Sequence, residues 1–394
     1  MENLLDIIGN KTVGVIGVGK WGSQLVSTLE KHSKHAILQS DPVRAKKEPD
    51  FAHVSLDEII ERAEIVIIAS PQDAIRGILL EVRGKLRQGQ IIIDIASSKR
   101  SFADVQQNID DDGRAIVGSI HPMSSPPPNP PSLRGQNGII CHISDRLQEA
   151  ETFAKALFET MEMTIETMRV AEHDRLMDVI QGLPHVFQLG ALATLGNTLP
   201  DGRTIQNVEK FQSPNFELTL LSIGRTASAV DANLQASLIM GLLASPAGER
   251  ILEQSIASMQ RIVELGKHDR DLPTTERLLP AFIEATRKKI DPDGSWRERM
   301  RVKTNVIIQR LGNIRKKSLT LIANKDHIGL LKQICTILER HDIDLNAIDS
   351  LQSKKPDSVE FELGRKDGTP MDWDALEKDL ERIEVVLKKA ETQQ

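Results

Sequence analysis

Four places along this 394-residue chain put polar groups where they can do chemistry. The first is a glycine turn. Gly17-Val18-Gly19-Lys20-Trp21-Gly22 follows the G-x-G-x-x-G pattern between the apolar run "TVGVIGVG" and a helical stretch. In that context Gly17 permits a tight turn, Gly19 lets the backbone approach a pyrophosphate, and Gly22 lets helix and strand pack closely. The helix start, with Lys20 and Trp21 in its first turn, attracts the anion. Asp41 closes the next strand, where a carboxylate accepts from both ribose hydroxyls and repels a 2′-phosphate. The expected cofactor is therefore NAD rather than NADP. Arg44, Lys46 and Lys47 just beyond Asp41 soften that preference. A glycine turn with no ligand is the plain alternative.

The second place is a row of strand ends. Open α/β sheets bind ligands at the carboxyl ends of their strands. "EIVIIAS", "QIIIDIAS" and "AIVGSIH" end at Ser70, Ser97 and His121. Pro122 restricts His121 to an extended backbone, which fixes where its ring points. A neutral imidazole suits a base that accepts an alcohol proton as hydride departs. Ser97 is placed to hold that ring. Equally, Ser97 can cap the following helix and His121 can be a polar strand end, and the residues alone leave both readings open.

The third is "VAEHDRLMDVIQGLPHV", residues 170 to 186. Glu172 and Asp174 open a helix, where carboxylates complement its dipole, and that accounts for both without catalysis. His173 and His185 lie too far apart for an i, i+4 metal pair. Gly182 and Pro184 are expected to kink or break the helix just before His185, turning its imidazole toward a cleft. The fourth is Arg225 inside the apolar "LTLLSIGRTASAV". Its planar fork can grip a substrate carboxylate in two parallel bonds, or close an internal salt bridge.

The elements that would position these groups fall into three stretches. Residues 1–170 alternate β-branched runs with helical segments, the pattern of a doubly wound parallel sheet, with "GIICHIS" and "TIETMR" extending its far side. Residues 171–314 carry helical patterns only, roughly 172–195, 216–243, 246–268, 273–289 and 295–313. Residues 315–394 read βαββαβ, the ferredoxin-like arrangement. The fold class expected is α/β, followed by an all-helical and then a ferredoxin-like domain.

Composition excludes several functions. A net charge of −6 provides no basic face for nucleic acid, and with no tyrosine and 3% aromatics there is no stacking platform for single strands. No run is long enough to span a membrane and no signal peptide opens the chain, so a cytoplasmic protein is expected. Cys141 and Cys335 stand alone, which argues against both a zinc site and a disulfide framework.

Taken in order, "GVGKWG", "IDIASSK", "GSIHPM", "AEHDRLMDVIQGLPH" and "SIGR" resemble the prephenate dehydrogenase family over about 310 residues. The resemblance implies a Rossmann-type NAD domain, 1–170, and a helical substrate and dimerisation domain, 171–314, that forms an intertwined homodimer. It implies oxidative decarboxylation of prephenate to 4-hydroxyphenylpyruvate in tyrosine biosynthesis. His121 matches the histidine that takes the ring-hydroxyl proton, and Ser97 the serine that assists it. His185 matches a second, substrate-associated histidine, and Arg225 the arginine on the ring carboxylate. "ANKDHIGLLKQICTILERHDIDLNAI" resembles an ACT regulatory domain, 315–394, with Asp326 and Gly329 in its effector loop and tyrosine the expected effector. The family usually continues from "HPM" with Phe-Gly-Pro. Here Ser124, Ser125 and a run of prolines follow instead, which puts substrate choice in question. Arogenate is the alternative substrate. Two further alternatives are a catalytically silent NAD and amino-acid sensor, and a polyproline ligand at "PPPNPPSLR".

Overall fold

The computed structural model describes residues 3–127, 132–143, 148–199, 204–209, 211, 213–227, 232–343, 345–352, 359–365 and 372–388. The chain forms two compact units, Met1–Thr198 with Ile223–Met259, and Leu199–Ser222 with Gln260–Gln394. The helices between 171 and 314 are thus divided between the two units.

The first unit is built on seven strands: β1 Val13–Ile16, β2 Leu38–Ser40, β3 Ile65–Ile68, β4 Ile91–Asp94, β5 Ile116–Pro122, β6 Asn137–His142 and β7 Thr164–Arg169. Their order is β2-β1-β3-β4-β5-β6-β7. Strands β1, β3 and β4 are buried along their whole length, which explains runs such as "IVII" and "IIID". Alternate residues serve opposite faces. Val15, Ile67 and Ile93 meet Leu25 and Leu29 of the helix Lys20–Glu30 and Phe153 and Leu157 of Gln148–Thr160. Ile16, Ile68, Ile92 and Val117 meet Ile59, Leu79 and Phe102 on the other side.

The sheet departs from the all-parallel expectation at one step, where β5 pairs antiparallel with β6. Parallel neighbours need a crossover, usually a helix. The segment between β5 and β6 carries the prolines of "SSPPPNPPS", whose missing N–H donors disfavour a crossover helix. Residues 128–131 of that segment lie outside the described residues.

After β7 the chain forms a helix, Val170–Met177, a π-helical turn, Asp178–Gly182, and a second helix, Leu183–Thr198. The break expected near Gly182 and Pro184 is therefore a single wide turn within a continuing helix. The segment expected as one helix over 216–243 is two, Pro214–Ala227 and Ala232–Leu243.

In the second unit β8 Ser318–Ala323, β9 Leu345–Gln352, β10 Val359–Arg365 and β11 Val385–Lys388 form an antiparallel sheet ordered β11-β8-β10-β9. With the helices Leu330–Arg340 and Trp373–Glu381 this is the ferredoxin-like topology. Leu321, Phe361 and Leu363 of the sheet are buried with Ile334, Leu376 and Leu380 of the helices.

Candidate active site

Strand order reverses at β1, whose neighbours are β2 and β3, and that reversal opens a crevice at the strand ends. Gly17 turns the chain there at φ 86°, and a Cβ on it would stand 2.6 Å from the Ser70 amide nitrogen. A Cβ on Gly22 would lie 2.0 Å from the Gly17 carbonyl oxygen, so helix and loop touch through that residue. Gly19 differs: nothing lies within 4 Å of where its Cβ would be. It stands at the start of Lys20–Glu30 with no side chain capping the helix, so the first amide donors face open space. That cradle fits a pyrophosphate. Lys20 is exposed beside it, and Trp21 donates its indole N–H to the Ser124 carbonyl at 3.2 Å. Trp21 thus ties the glycine loop to the segment that follows His121.

Asp41 has a role the sequence did not reveal. Its Oδ1 accepts from the Val43 and Arg44 amides at 3.1 and 2.8 Å, capping Pro42–Lys47, while Oδ2 accepts from Val18 N at 2.9 Å. The carboxylate therefore fixes the glycine loop itself. Arg44 folds over Phe51, 4.7 Å from the ring centroid, and donates to the Val18 carbonyl and Ser23 Oγ.

His121 lies at the end of β5, only 2% exposed, inside a buried polar cluster. Its Nδ1 is 3.0 Å from Nε2 of His173, and its Nε2 is 3.3 Å from the Gln181 amide nitrogen. His173 Nδ1 is 2.9 Å from Asp174 Oδ1, and both Asp174 oxygens accept from the Lys99 backbone N–H. The Lys99 ammonium, fully buried, donates to Asp94 Oδ1 at 2.6 Å and to the Ile120 carbonyl at 2.7 Å. Gln106 and the Ala96 amide complete the shell of Asp94. Burial first, then the Lys99 charge and His173, hold the His121 imidazole well below its usual range. The ring is accordingly neutral at neutral pH.

Sequence reasoning missed His173, Asp174, Lys99 and Gln181. Helix-dipole complementarity is not the whole role of Asp174, which is buried and bonded across to Lys99, whereas Glu172 is exposed as that reading expects. The available signal was spacing: on Val170–Met177, His173 and Asp174 fall together with Met177 on the buried face. Gln181 and Asp178 sit in the π turn, a feature frequent at functional sites. Asp178 receives a two-pronged bond from Arg100, 3.1 and 2.9 Å, and Arg100 also donates to the Gly241 carbonyl.

Among the expected site residues, Ser97 lines a small cavity with Ser98, Asp178, Gln181 and Gly241. The His121 ring nitrogens, however, meet His173 and Gln181 rather than Ser97. Ser70 Oγ donates to the Ile16 carbonyl at the crevice. His185 is half-buried in the first turn after the π turn. Arg225 lies on Pro214–Ala227, and its side chain falls outside the described residues. Asp326 is exposed, and Gly329 starts Leu330–Arg340 at φ 94°. Among the described residues no group of His, Cys, Asp and Glu is placed to hold a metal ion, and no helix is long and apolar enough to cross a membrane.

Comparison with known proteins finds relatives of this chain. Residues 23–155 match the family model for the nucleotide-binding domain of prephenate dehydrogenase. The match begins beyond the glycine loop, so loop and match are separate observations. A probable arogenate/prephenate dehydrogenase of Methanocaldococcus jannaschii is 27% identical over 229 residues, covering 55% of this chain and 49% of that protein. The chain thus spans about half the length of that curated relative. The structure of prephenate dehydrogenase from A. aeolicus in complex with hydroxyphenyl propionate and NAD+ superposes with a TM-score of 0.53 at 18% identity, covering 72% of this chain and 98% of that one. Synechocystis arogenate dehydrogenase gives 0.52 at 17% identity, covering 71% and 99%. At such identities the superpositions show a shared fold. Residues 23–155 are thus similar to the nucleotide-binding domain of prephenate dehydrogenase, and the curated relative and the superpositions add a partial sequence likeness and a shared fold.

Proposed function

We propose that the chain is an NAD-dependent dehydrogenase that oxidatively decarboxylates prephenate, or arogenate in its place. The observation that carries this reading is a neutral, buried His121 at the carboxyl end of β5, tied through Ser124 to the glycine loop by Trp21. Bound at that loop, the nicotinamide supplies the hydride acceptor. His121 takes the ring-hydroxyl proton as the carbon bearing it loses hydride. The bond to the ring carboxylate then breaks, its electron pair enters the ring, and CO2 leaves. The phenolate recovers the proton from His121, so none is released overall. Aromatisation supplies the driving force, and the protein's work is to position the substrate and hold one proton. Ser97 and His185 flank the substrate in this reading, and Arg225 grips the ring carboxylate.

The remaining assignments belong to the same reading. Residues 1–170 bind NAD through Gly17, Gly19, Lys20, Trp21, Gly22, Asp41 and Ser70. Residues 171–314 carry the substrate and the dimer contact. Exposed Ile256, Met259, Ile262 and Val263 on Pro246–Asp269, and Val302, Val306 and Ile307 on Ser295–Lys317, favour a homodimer that covers them. The ferredoxin-like sheet supports an ACT regulatory role for 315–394, with tyrosine as effector at Asp326 and Gly329. The test is reduced-nicotinamide formation by the full chain with prephenate or arogenate, against NAD or NADP, with and without tyrosine. Turnover with NAD that tyrosine suppresses is expected. No turnover with either substrate overturns the reading.

A further inference from the structure

The geometry points to His173, held by Asp174, as a positioning residue that sets the tautomer of His121 and leaves His121 Nε2 as a lone pair. The inference rests on His121 being the base. Asp174 starts the chain of reasoning because a carboxylate only accepts. Its Oδ1 takes the Lys99 amide at 3.0 Å and lies 2.9 Å from His173 Nδ1, so that nitrogen carries the proton. On the other side the Gln181 amide nitrogen, which only donates, lies 3.3 Å from His121 Nε2, so the single proton of the neutral His121 ring is on Nδ1. His173 Nε2, 3.0 Å from that Nδ1, accepts it.

This order matters because a neutral imidazole has one proton to place. On Nε2 that proton would block the base, and on Nδ1 it frees it. Burial makes the arrangement rigid: His173 is fully buried, Asp174 6% exposed and His121 2% exposed. Water cannot replace a lost partner there without cost. Gln181, from the π turn, donates to the free nitrogen in the manner a substrate hydroxyl would. It therefore marks where that hydroxyl arrives, and it must yield the position during turnover.

Two variants separate this role from packing. His173→Leu is similar in bulk and apolar, yet removes the acceptor for His121 Nδ1–H. His173→Gln keeps an amide oxygen able to accept. If His173 only fills space, Leu is tolerated better than Gln. If it sets the tautomer, Leu lowers kcat by about 100-fold or more with the substrate KM little changed, and Gln stays within about tenfold of the parent chain. Equal loss in both, or the reverse order, overturns the inference. A second measurement needs no turnover: 15N spectra of imidazole-labelled protein report which nitrogen is protonated. Nδ1–H on His121 in the parent chain, shifting to Nε2–H in His173→Leu, supports the inference. Nε2–H in the parent chain overturns it. A parent chain with the expected tautomer but no turnover would instead count against the dehydrogenase reading alone.

Discussion

Gly19 and His121 both lie at the carboxyl end of a strand in one sheet, Gly19 beyond β1 and His121 within the last two residues of β5, and their surroundings are opposite. Around Gly19 nothing approaches within 4 Å of a Cβ position, and the helix start behind it is uncapped by any side chain. His121 meets His173 and Gln181 at its two ring nitrogens and feels the buried Lys99 charge, with 2% of the residue exposed. The glycine loop works by leaving out side chains, so that backbone dipoles are free to meet a ligand. The histidine cluster works by satisfying nearly every polar atom, so that one ring nitrogen is left with a single defined task. A site for a large charged cofactor must stay open, and a base must be held still.

The comparison is broken most severely in the filled half. Lys99→Met removes a buried ammonium and leaves the Asp94 carboxylate without its charge partner. Breaking such a pair from one side costs about 3–5 kcal/mol. Urea unfolding should show that loss, and a loss below about 1 kcal/mol would mean that water reaches Asp94. Next comes His121→Asn. Turnover is expected to fall by about 10^3-fold, near 4 kcal/mol of transition-state stabilisation, while NAD affinity measured by fluorescence titration stays within about twofold. Retained turnover would move the base elsewhere.

The open half separates into two kinds of glycine. Gly22→Ala forces a Cβ against the Gly17 carbonyl, 2.0 Å away in the present backbone, so the helix must shift. A loss of about 1–3 kcal/mol in stability is expected, with weaker NAD binding as its consequence. Gly19→Ala meets no atom of the protein. Its stability should remain within about 0.5 kcal/mol of the parent, while the NAD Kd rises about tenfold, because the methyl occupies the cradle itself. Equal effects of the two on Tm would erase the distinction between a packing glycine and a ligand glycine.

The same contrast explains what was legible in the sequence. Glycine turns are set by local geometry, and residues 17 to 22 carry the whole pattern in one stretch. Strand runs such as "IVII" are legible because burial on both faces leaves no room for polar side chains. His121 was legible through its place at a strand end. Its partners were not, since Lys99 follows β4 while His173 and Gln181 lie on the helical stretch after β7, and they meet His121 only after folding. Asp174 has an adequate local explanation in the sequence as a carboxylate near a helix start, whereas the helix begins at Val170 and only Glu172 falls in its first turn. Asp41 was read for a ligand, whereas the folded chain uses both its oxygens on Val18, Val43 and Arg44. The antiparallel β5–β6 step was available in the prolines, which disfavour a crossover helix.

The smallest expected effect tests why the filled half suits a base. Burial, the Lys99 charge and His173 hold the His121 imidazole well below its ordinary value of 6.5. Asp94, Asp174 and Cys141 share the same interior, and Asp178 lies in the adjoining π turn with Arg100. Below pH about 6.5 the unfolded chain binds a proton at this residue that the folded chain does not. Stability from His121 is therefore fully present above that pH and is lost as pH falls toward the folded value. The loss runs up to about 1.4 kcal/mol per pH unit. Urea unfolding at about pH 7.5 and about pH 5.5 should show a fall in the parent chain that exceeds that of His121→Asn by about 1 kcal/mol. Equal falls would mean that the folded protein already protonates His121 in the ordinary range. A ring charged in that range would serve as a neutral acceptor for a hydroxyl proton only above about pH 6.5, however well His173 aims it.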